Sequence, residues 1–484
     1  MTTPVQIGAR RASTDVAVQI AGRIGNLALG VVVTIVLIRA LGARGFGEWS
    51  TIFAISQIAT NFGELGLGQV AVSRAATEPK RQSDWLSALL SLRLALAFPI
   101  TLASVVAVLL IAPTHQSKLA GVLISCALLV GAPSCLSAVF QLRVRNDIST
   151  AILTLNSVVW AAAVIVVATG SAGIVTFAAA FLAVAALTTA VTVFLALRMI
   201  PVRLSQTRNL WSGLMRVGIP VGIAGIFVTS YVRLDQILVL EFAGSRQAGL
   251  YGAAYRVLDQ VQFIPIAVMT TLFPLIASSY PGSMDRVRSL LQLAAEYLTI
   301  ATLPILAFTI VAARPIANVL FGKQFLAAAP ALPILMAAFV FISFGYVTGS
   351  VVVILELQSR FLRYSALALV FNGGLNILLI PRYGFVAAAW VTLLTEVLVM
   401  SLMTRSILGV LAMRPSLGRF ARTVVAATVM GLLTWGARAL GVPLAGLALV
   451  AGVSYLLCVA LLQVLTIDEV KAMLRKEPLP ANGN

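Results

Sequence analysis

Residues 16–38, VAVQIAGRIGNLALGVVVTIVLI, carry a single charged side chain, Arg23, in an otherwise apolar run. A helix that crosses a bilayer needs about 20 predominantly apolar residues, so this run is long enough. Arg10 and Arg11 precede it, as the basic flank of a secretory signal does. The apolar core of a signal is only about 7–15 residues, however, and ends at a small-residue cleavage site. Neither feature is present, and the run reads as an uncleaved first span. The rest of the 484-residue chain has the same character: 60% hydrophobic, 10% charged, mean hydropathy +1.01. A soluble globular domain is about a quarter charged. A cytosolic enzyme, a secreted disulfide scaffold and a disordered chain are excluded, and the chain reads as an all-α polytopic membrane protein.

A 20-residue window places fourteen spans, at about 16–38, 46–72, 86–112, 118–140, 150–169, 173–197, 212–240, 250–277, 291–312, 331–356, 362–380, 384–404, 423–440 and 442–465. With the N-terminus in the cytoplasm, 22 of the 34 Lys and Arg fall on the inner side and 8 on the outer, with four inside spans. Cationic inner loops are what fix orientation, so both termini are expected inside. The same rule accounts for the net charge of +18. Basic loops also sit well beside anionic lipid headgroups, and no nucleic-acid partner is expected.

The chain repeats. Leu41-Gly42-Ala43-Arg44-Gly45-Phe46-Gly47 follows span 1, and Ala243-Gly244 with Ala248-Gly249-Leu250-Tyr251-Gly252 follows span 7. Gly173-Ile174-Val175-Thr176-Phe177-Ala178 follows span 5, and Gly384-Phe385-Val386-Ala387-Ala388 follows span 11. The offsets, Gly45 to Gly249 and Gly173 to Gly384, are nearly equal. The expected organisation is a six-span lobe over 1–205, a second over 206–410, two further spans within 411–466 and a cytoplasmic tail over 467–484. Repeats of this kind are a signature of transporters, which hold substrate near the repeat interface.

Several stretches resemble a known family. Arg39-Ala40-Leu41-Gly42, Gly45-Phe46-Gly47, Gly66-Leu67 and Arg74 resemble the first two helices of bacterial polysaccharide flippases. Asp235-Gln236, Gly249-Leu250-Tyr251, Ala253-Ala254-Tyr255 and Phe273-Pro274 continue the likeness, as do Phe321-Gly322-Lys323-Gln324-Phe325, Ala328-Ala329 and Leu332. Asn372, Leu375-Asn376, Leu379-Ile380-Pro381-Arg382-Tyr383-Gly384 and Ala387-Ala388 complete it, so that the motifs cover most of residues 16–405. The chain is similar to the polysaccharide-transporter branch of the multidrug/oligosaccharidyl-lipid/polysaccharide exporter superfamily. That resemblance implies two pseudo-symmetric six-helix lobes, V-shaped about a central cavity, plus two C-terminal helices. It also implies export of an undecaprenyl-diphosphate-linked oligosaccharide for capsule, exopolysaccharide or O-antigen (lipopolysaccharide) synthesis. The implied partners are that polyprenyl-linked glycan, membrane lipid, a polysaccharide polymerase and chain-length proteins.

A charge inside the hydrocarbon costs a few kcal/mol and normally faces a bundle interior or wet cavity. Arg23, Glu64 and Arg93 fall at similar depth in the inner half of the first lobe. Arg233, Asp235, Arg256 and Asp259 fall in the outer half of the second, with Arg256 and Asp259 on one helical face. Arg binds phosphate oxygens bidentately, so Arg23 and Arg93 are candidates to admit a lipid diphosphate of about two negative charges, and Arg233 and Arg256 to release it. The bland alternative is structural pairing: Arg23 or Arg93 with Glu64, Arg233 with Asp259, Asp235 with Arg256. Glu296, Glu356 and Glu396 also lie in or beside spans. A buried carboxylate such as Glu396, near the middle of span 12, can take up a proton or bind an ion, or it can simply bond a neighbouring helix. Glu64, Asp235 and Asp259 are candidates for the same role. Pro220, among Gly218, Gly222 and Gly225, is a candidate hinge.

The chain has one histidine, His115, placed in an outer loop, and no GxxxxGK[ST] phosphate loop. No catalytic residue, metal site or cofactor is expected. Cys126 and Cys135 are about 13 Å apart along a straight helix and cannot pair. The function expected is therefore a non-enzymatic flippase. A drug/cation antiporter of the same superfamily and a membrane polysaccharide polymerase or ligase are the alternatives. The first of these calls for an acidic, aromatic cavity and the second for a large outer loop.

Overall fold

The computed structural model describes residues 9–170, 172–203, 208–413 and 416–465. The side chains of Arg23 and Pro220 and the tail over 467–484 lie outside the described residues, although the backbone is helical at both Arg23 and Pro220. The described chain is built of α-helices: α1 (Ala9–Glu64), α2 (Leu67–Thr77), α3 (Gln82–Ile111), α4 (His115–Gly131), α5 (Ala138–Leu142), α6 (Asn146–Thr169), α7 (Ile174–Met199), α8 (Trp211–Val261), α9 (Phe263–Ser279), α10 (Met284–Phe321), α11 (Ala331–Ile354), α12 (Gln358–Tyr383), α13 (Phe385–Leu411), α14 (Gly418–Ala439) and α15 (Leu444–Leu461). Helices suit a lipid environment because every interior backbone group is bonded within its own segment.

Among the described residues, twelve helical segments are long and apolar enough to cross a membrane. Two of them, Ala28–Thr77 and Gly222–Ser279, run to 50 and 58 residues. At 1.5 Å per residue these are about 75 and 87 Å long against a hydrocarbon core of about 30 Å, so each makes two passes and the total is fourteen. The turn-round falls on one glycine in each: Gly42 (φ 63°, ψ 179°) in α1 and Gly244 (φ 83°, ψ 169°) in α8. No side-chain-bearing residue adopts that conformation without strain. The sequence led us to expect short loops at these places. The observed joints are single-residue reversals with helix on both sides. They are 202 positions apart, and α7 and α13 begin beside Gly173 and Gly384, 211 apart.

The helices gather into two compact units. One comprises Met1–Ala253 with Ser365–Phe385, the other Ala254–Tyr364 with Val386–Asn484. In the first, α4 lies along α7 and α3, and α6 packs on α1 and α7. The Ser104 and Ser125 hydroxyls bond at 2.9 Å between α3 and α4, the sort of small polar contact that joins helices in lipid. The two glycine reversals also interlock in this unit. A Cβ on Gly47 would overlap the carbonyl oxygen of Ser245, and one on Gly249 would overlap the carbonyl oxygen of Ala43. The contact is reciprocal, each limb lodging its glycine against the backbone just beyond the other's reversal.

In the second unit α10 is the central strut, touching α9, α11, α14 and α15. The two extra C-terminal spans are fastened to it. Arg419 and Glu296 pair at 2.9 Å, their side chains only 11% and 10% exposed. The Arg438 guanidinium donates to the Val311 carbonyl, and the Tyr455 hydroxyl donates to that of Ile300 at 2.6 Å. Outward faces are greasy: Leu110 is 79% exposed and Leu461 81%, as lipid contact allows.

Candidate functional site

The first cluster forms where α1 stops. Leu65 (φ 41°) and Gly66 (φ 67°) turn the chain out of helix, and α2 restarts at Leu67. Glu64, read from sequence as lying within a continuous span, therefore sits at a helix end and is exposed. Gly218 and Gly222 of α8 let this break approach. A Cβ on Gly218 would stand 2.8 Å from the Leu65 carbonyl oxygen, and one on Gly222 would overlap the Leu65 Cα. Beside the break is a cavity of about 370 Å³ whose wall includes Asn61, Glu64, Gln69, Arg93, Cys135 and Gln141.

Arg93 projects into that cavity from α3. Its Nη1 lies 3.2 Å from where a Gly63 Cβ would stand, so the guanidinium covers the last turn of α1 and needs the missing side chain there. The Cys135 thiol lines the same cavity. Among the described residues Arg93 has no carboxylate partner, and Glu64 shares its cavity without forming an ion pair with it. A guanidinium with no carboxylate partner keeps most of its donors for an anion.

The second cluster is buried. Asp235 on α8 is 1% exposed. It accepts hydrogen bonds from the Tyr251 hydroxyl at 3.0 Å and the Asn376 amide at 2.7 Å, and Asn376 also donates to Asn372 Oδ1 at 3.1 Å. The Asn376 Oδ1 atom is buried with no hydrogen-bond partner, so an acceptor is left waiting beside a carboxylate. Asp235 was singled out in the sequence. Tyr251, Asn372 and Asn376 were noted as family markers and missed as site residues. A tyrosine and two asparagines inside spans were the available signal, since polar groups in lipid seek partners.

In the second unit Arg256 and Asp259, one turn apart on α8, stand 3.7 Å from each other. The Tyr346 hydroxyl donates to Gln262 Oε1 at 2.8 Å, and Glu396 is buried on α13. Glu296 is held by Arg419 and by Gln292 at 2.8 Å, and Glu356 lies in the exposed turn between α11 and α12. Arg233 is half-buried on α8 in the first unit. The described residues contain no group of three or more His, Cys, Asp or Glu able to hold a metal ion.

A family model described as "Polysaccharide biosynthesis protein" matches residues 13–280, a little over half of the chain. The chain belongs to this family. A curated relative, an uncharacterized membrane protein of Methanocaldococcus jannaschii, is 27% identical over 187 residues, which is 38% of this chain. The chain spans about a third of that relative's length, 36%. Among solved structures, the lipid II flippase MurJ in an inward closed conformation superposes with a TM-score of 0.76 at 12% identity, covering 92% of this chain and 98% of that one. An inward-facing multidrug resistance MATE family transporter, itself of the MOP superfamily, gives 0.60 at 15% identity, over 80% and 95%. The MATE multidrug transporter DinF-BH gives 0.59 at 15%, over 81% and 94%. The fold of this polysaccharide biosynthesis family member is thus the one shared by MurJ and the MATE transporters.

Proposed function

We propose that this polysaccharide biosynthesis protein is a flippase, not an enzyme. Its cargo is an undecaprenyl-diphosphate-linked oligosaccharide, moved across the bacterial cytoplasmic membrane for capsule, exopolysaccharide or O-antigen assembly. The observation that carries this reading is Arg93, a guanidinium in a polar cavity of a membrane unit with no carboxylate partner among the described residues. An unneutralised cation is costly in such a place and is accounted for by an anionic cargo. Arg23 shares its depth and joins it in admitting the diphosphate from the cytoplasmic side, with both termini inside. Arg233 and Arg256 serve release. The repeats 1–205 and 206–410 move against each other about Pro220. A polymerase and chain-length proteins take up the exported unit.

Asp235 supplies the coupling in this reading. A buried carboxylate beside the orphan Asn376 oxygen is suited to a proton or a monovalent cation, and Asp259 and Glu396 are further candidates. A drug/cation antiporter would use Asp235 in the same way but has no need of Arg93. The test is complementation of a deletion strain, reading lipid-linked repeat units trapped on the cytoplasmic leaflet. Arg93→Ala, at normal membrane level, is expected to cut export at least about tenfold, the loss of roughly 1.4 kcal/mol of binding. Unchanged export with Arg93→Ala removes the diphosphate site.

A further inference from the structure

We propose that the first unit also holds a binding site for a neutral sugar residue, the one joined directly to the lipid diphosphate. The inference rests on the flippase reading and names the part of the cargo that a second cavity receives. This cavity, about 540 Å³, lies between α6, α7 and the 3₁₀ turn Ala132–Ser137. It shares Ser134, Ser137 and Gln141 with the wall of the Arg93 cavity. A ligand with its diphosphate at Arg93 therefore has its next group at this opening. The volume is within the range of about 300–1,000 Å³ usual for small-molecule sites.

The lining matches a sugar. None of its residues is charged. Ser149, Asn156 and Thr189 face it, and among the described residues none of the three has a side-chain hydrogen-bond partner. Thr189 is only 8% exposed. Their hydroxyl and amide groups open onto the cavity and suit a ligand rich in hydroxyls, because hydroxyls and amides both donate and accept. Opposite stands a fixed aromatic wall. The Trp160 ring is stacked on Trp49, centroids 6.3 Å apart and planes at 10°, and is met edge-on by Phe181 at 5.5 Å. A ring braced on two sides offers an apolar face to the C–H face of a pyranose at little entropic cost. Water alone satisfies the hydroxyls but has no use for Trp160. The missing cation in the wall sets the selectivity: an acidic sugar gains no counter-charge here.

The test uses the purified full-length protein in nanodiscs and isothermal titration calorimetry. Three probes are compared: farnesyl diphosphate, its N-acetylglucosamine conjugate and its glucuronic acid conjugate. The N-acetylglucosamine conjugate is expected to bind about tenfold more tightly than farnesyl diphosphate, and the glucuronic acid conjugate no more tightly. Trp160→Ala and Thr189→Val each bring the N-acetylglucosamine conjugate down to the affinity of farnesyl diphosphate. Farnesyl diphosphate binding itself is unchanged in both variants, which shows that they are folded, whereas Arg93→Ala weakens all three probes. Equal binding of farnesyl diphosphate and its N-acetylglucosamine conjugate overturns the sugar site, as does a sugar increment that survives both Trp160→Ala and Thr189→Val. In either case the flippase reading stands on the diphosphate. Equal gain from glucuronic acid overturns the neutral selectivity. Failure of all three probes to bind overturns the flippase reading and the sugar site with it.

Discussion

Single residues decide what the first unit can hold. Asp235 holds a carboxylate out of water and accepts hydrogen bonds from Tyr251 and Asn376. Asp235→Asn preserves shape and removes the charge. Transport of lipid-linked units is expected to fall at least about tenfold, while the unfolding midpoint in detergent stays within a few degrees. Full export by Asp235→Asn would falsify ion coupling at this position. Individual charges were legible in the sequence because a membrane span advertises every one of them. Their partners were not. The Tyr251 and Asn376 donors to Asp235, 16 and 141 positions away, carried no such mark. Depth along a helix is readable from position, but rotation about its axis depends on packing.

Helices are held to one another here by apolar packing and by a few well-defined polar ties. The Glu296–Arg419 pair ties α14 to α10 with both side chains nearly buried. Removing one member strands the other charge, so Arg419→Met is expected to destabilise the protein by about 3–5 kcal/mol. The double variant Glu296→Met with Arg419→Met is expected to recover most of that, since well-packed apolar replacements of a buried pair are often neutral. Thermal unfolding of the three proteins in one detergent checks both statements, and a double variant no better than the single one refutes them. At this scale the position of each span was legible, because length and apolarity are set by the bilayer, although helices such as α10 run seven to nine residues past the expected ends. The joints were less so. Gly42 and Gly244 stood out as parts of repeated motifs, yet nothing in their neighbourhood distinguishes a one-residue reversal from a short loop. Glu64 was read as mid-span because the break at Leu65 requires a non-glycine residue at positive φ, which no sequence pattern announces.

For the whole molecule the leading question is which end faces the cytoplasm. On the orientation expected from the excess of Lys and Arg, exposed Lys80 lies inside and exposed His115 outside. In a background lacking Cys126, Cys135 and Cys458, a membrane-impermeant maleimide applied to intact cells is expected to label His115→Cys and spare Lys80→Cys. The reverse pattern inverts the topology and puts Arg93 at the wrong end to admit cargo. The passes were visible in the chain, since they are a matter of length and apolar composition. The mutual grip of Gly47 and Gly249 was not, because it depends on two backbones meeting from 202 positions apart. That grip makes spacing matter more than chemistry. One residue inserted between Gly42 and Gly47 rotates everything after it by about 100°, swinging a side chain towards the Ser245 carbonyl and carrying the bare position away from it. An alanine inserted there is therefore expected to abolish accumulation of folded protein in membranes, whereas the same alanine inserted beside exposed Lys80, in the turn between α2 and α3, leaves it intact. The hook tolerates no change in its length, however conservative the residue that changes it.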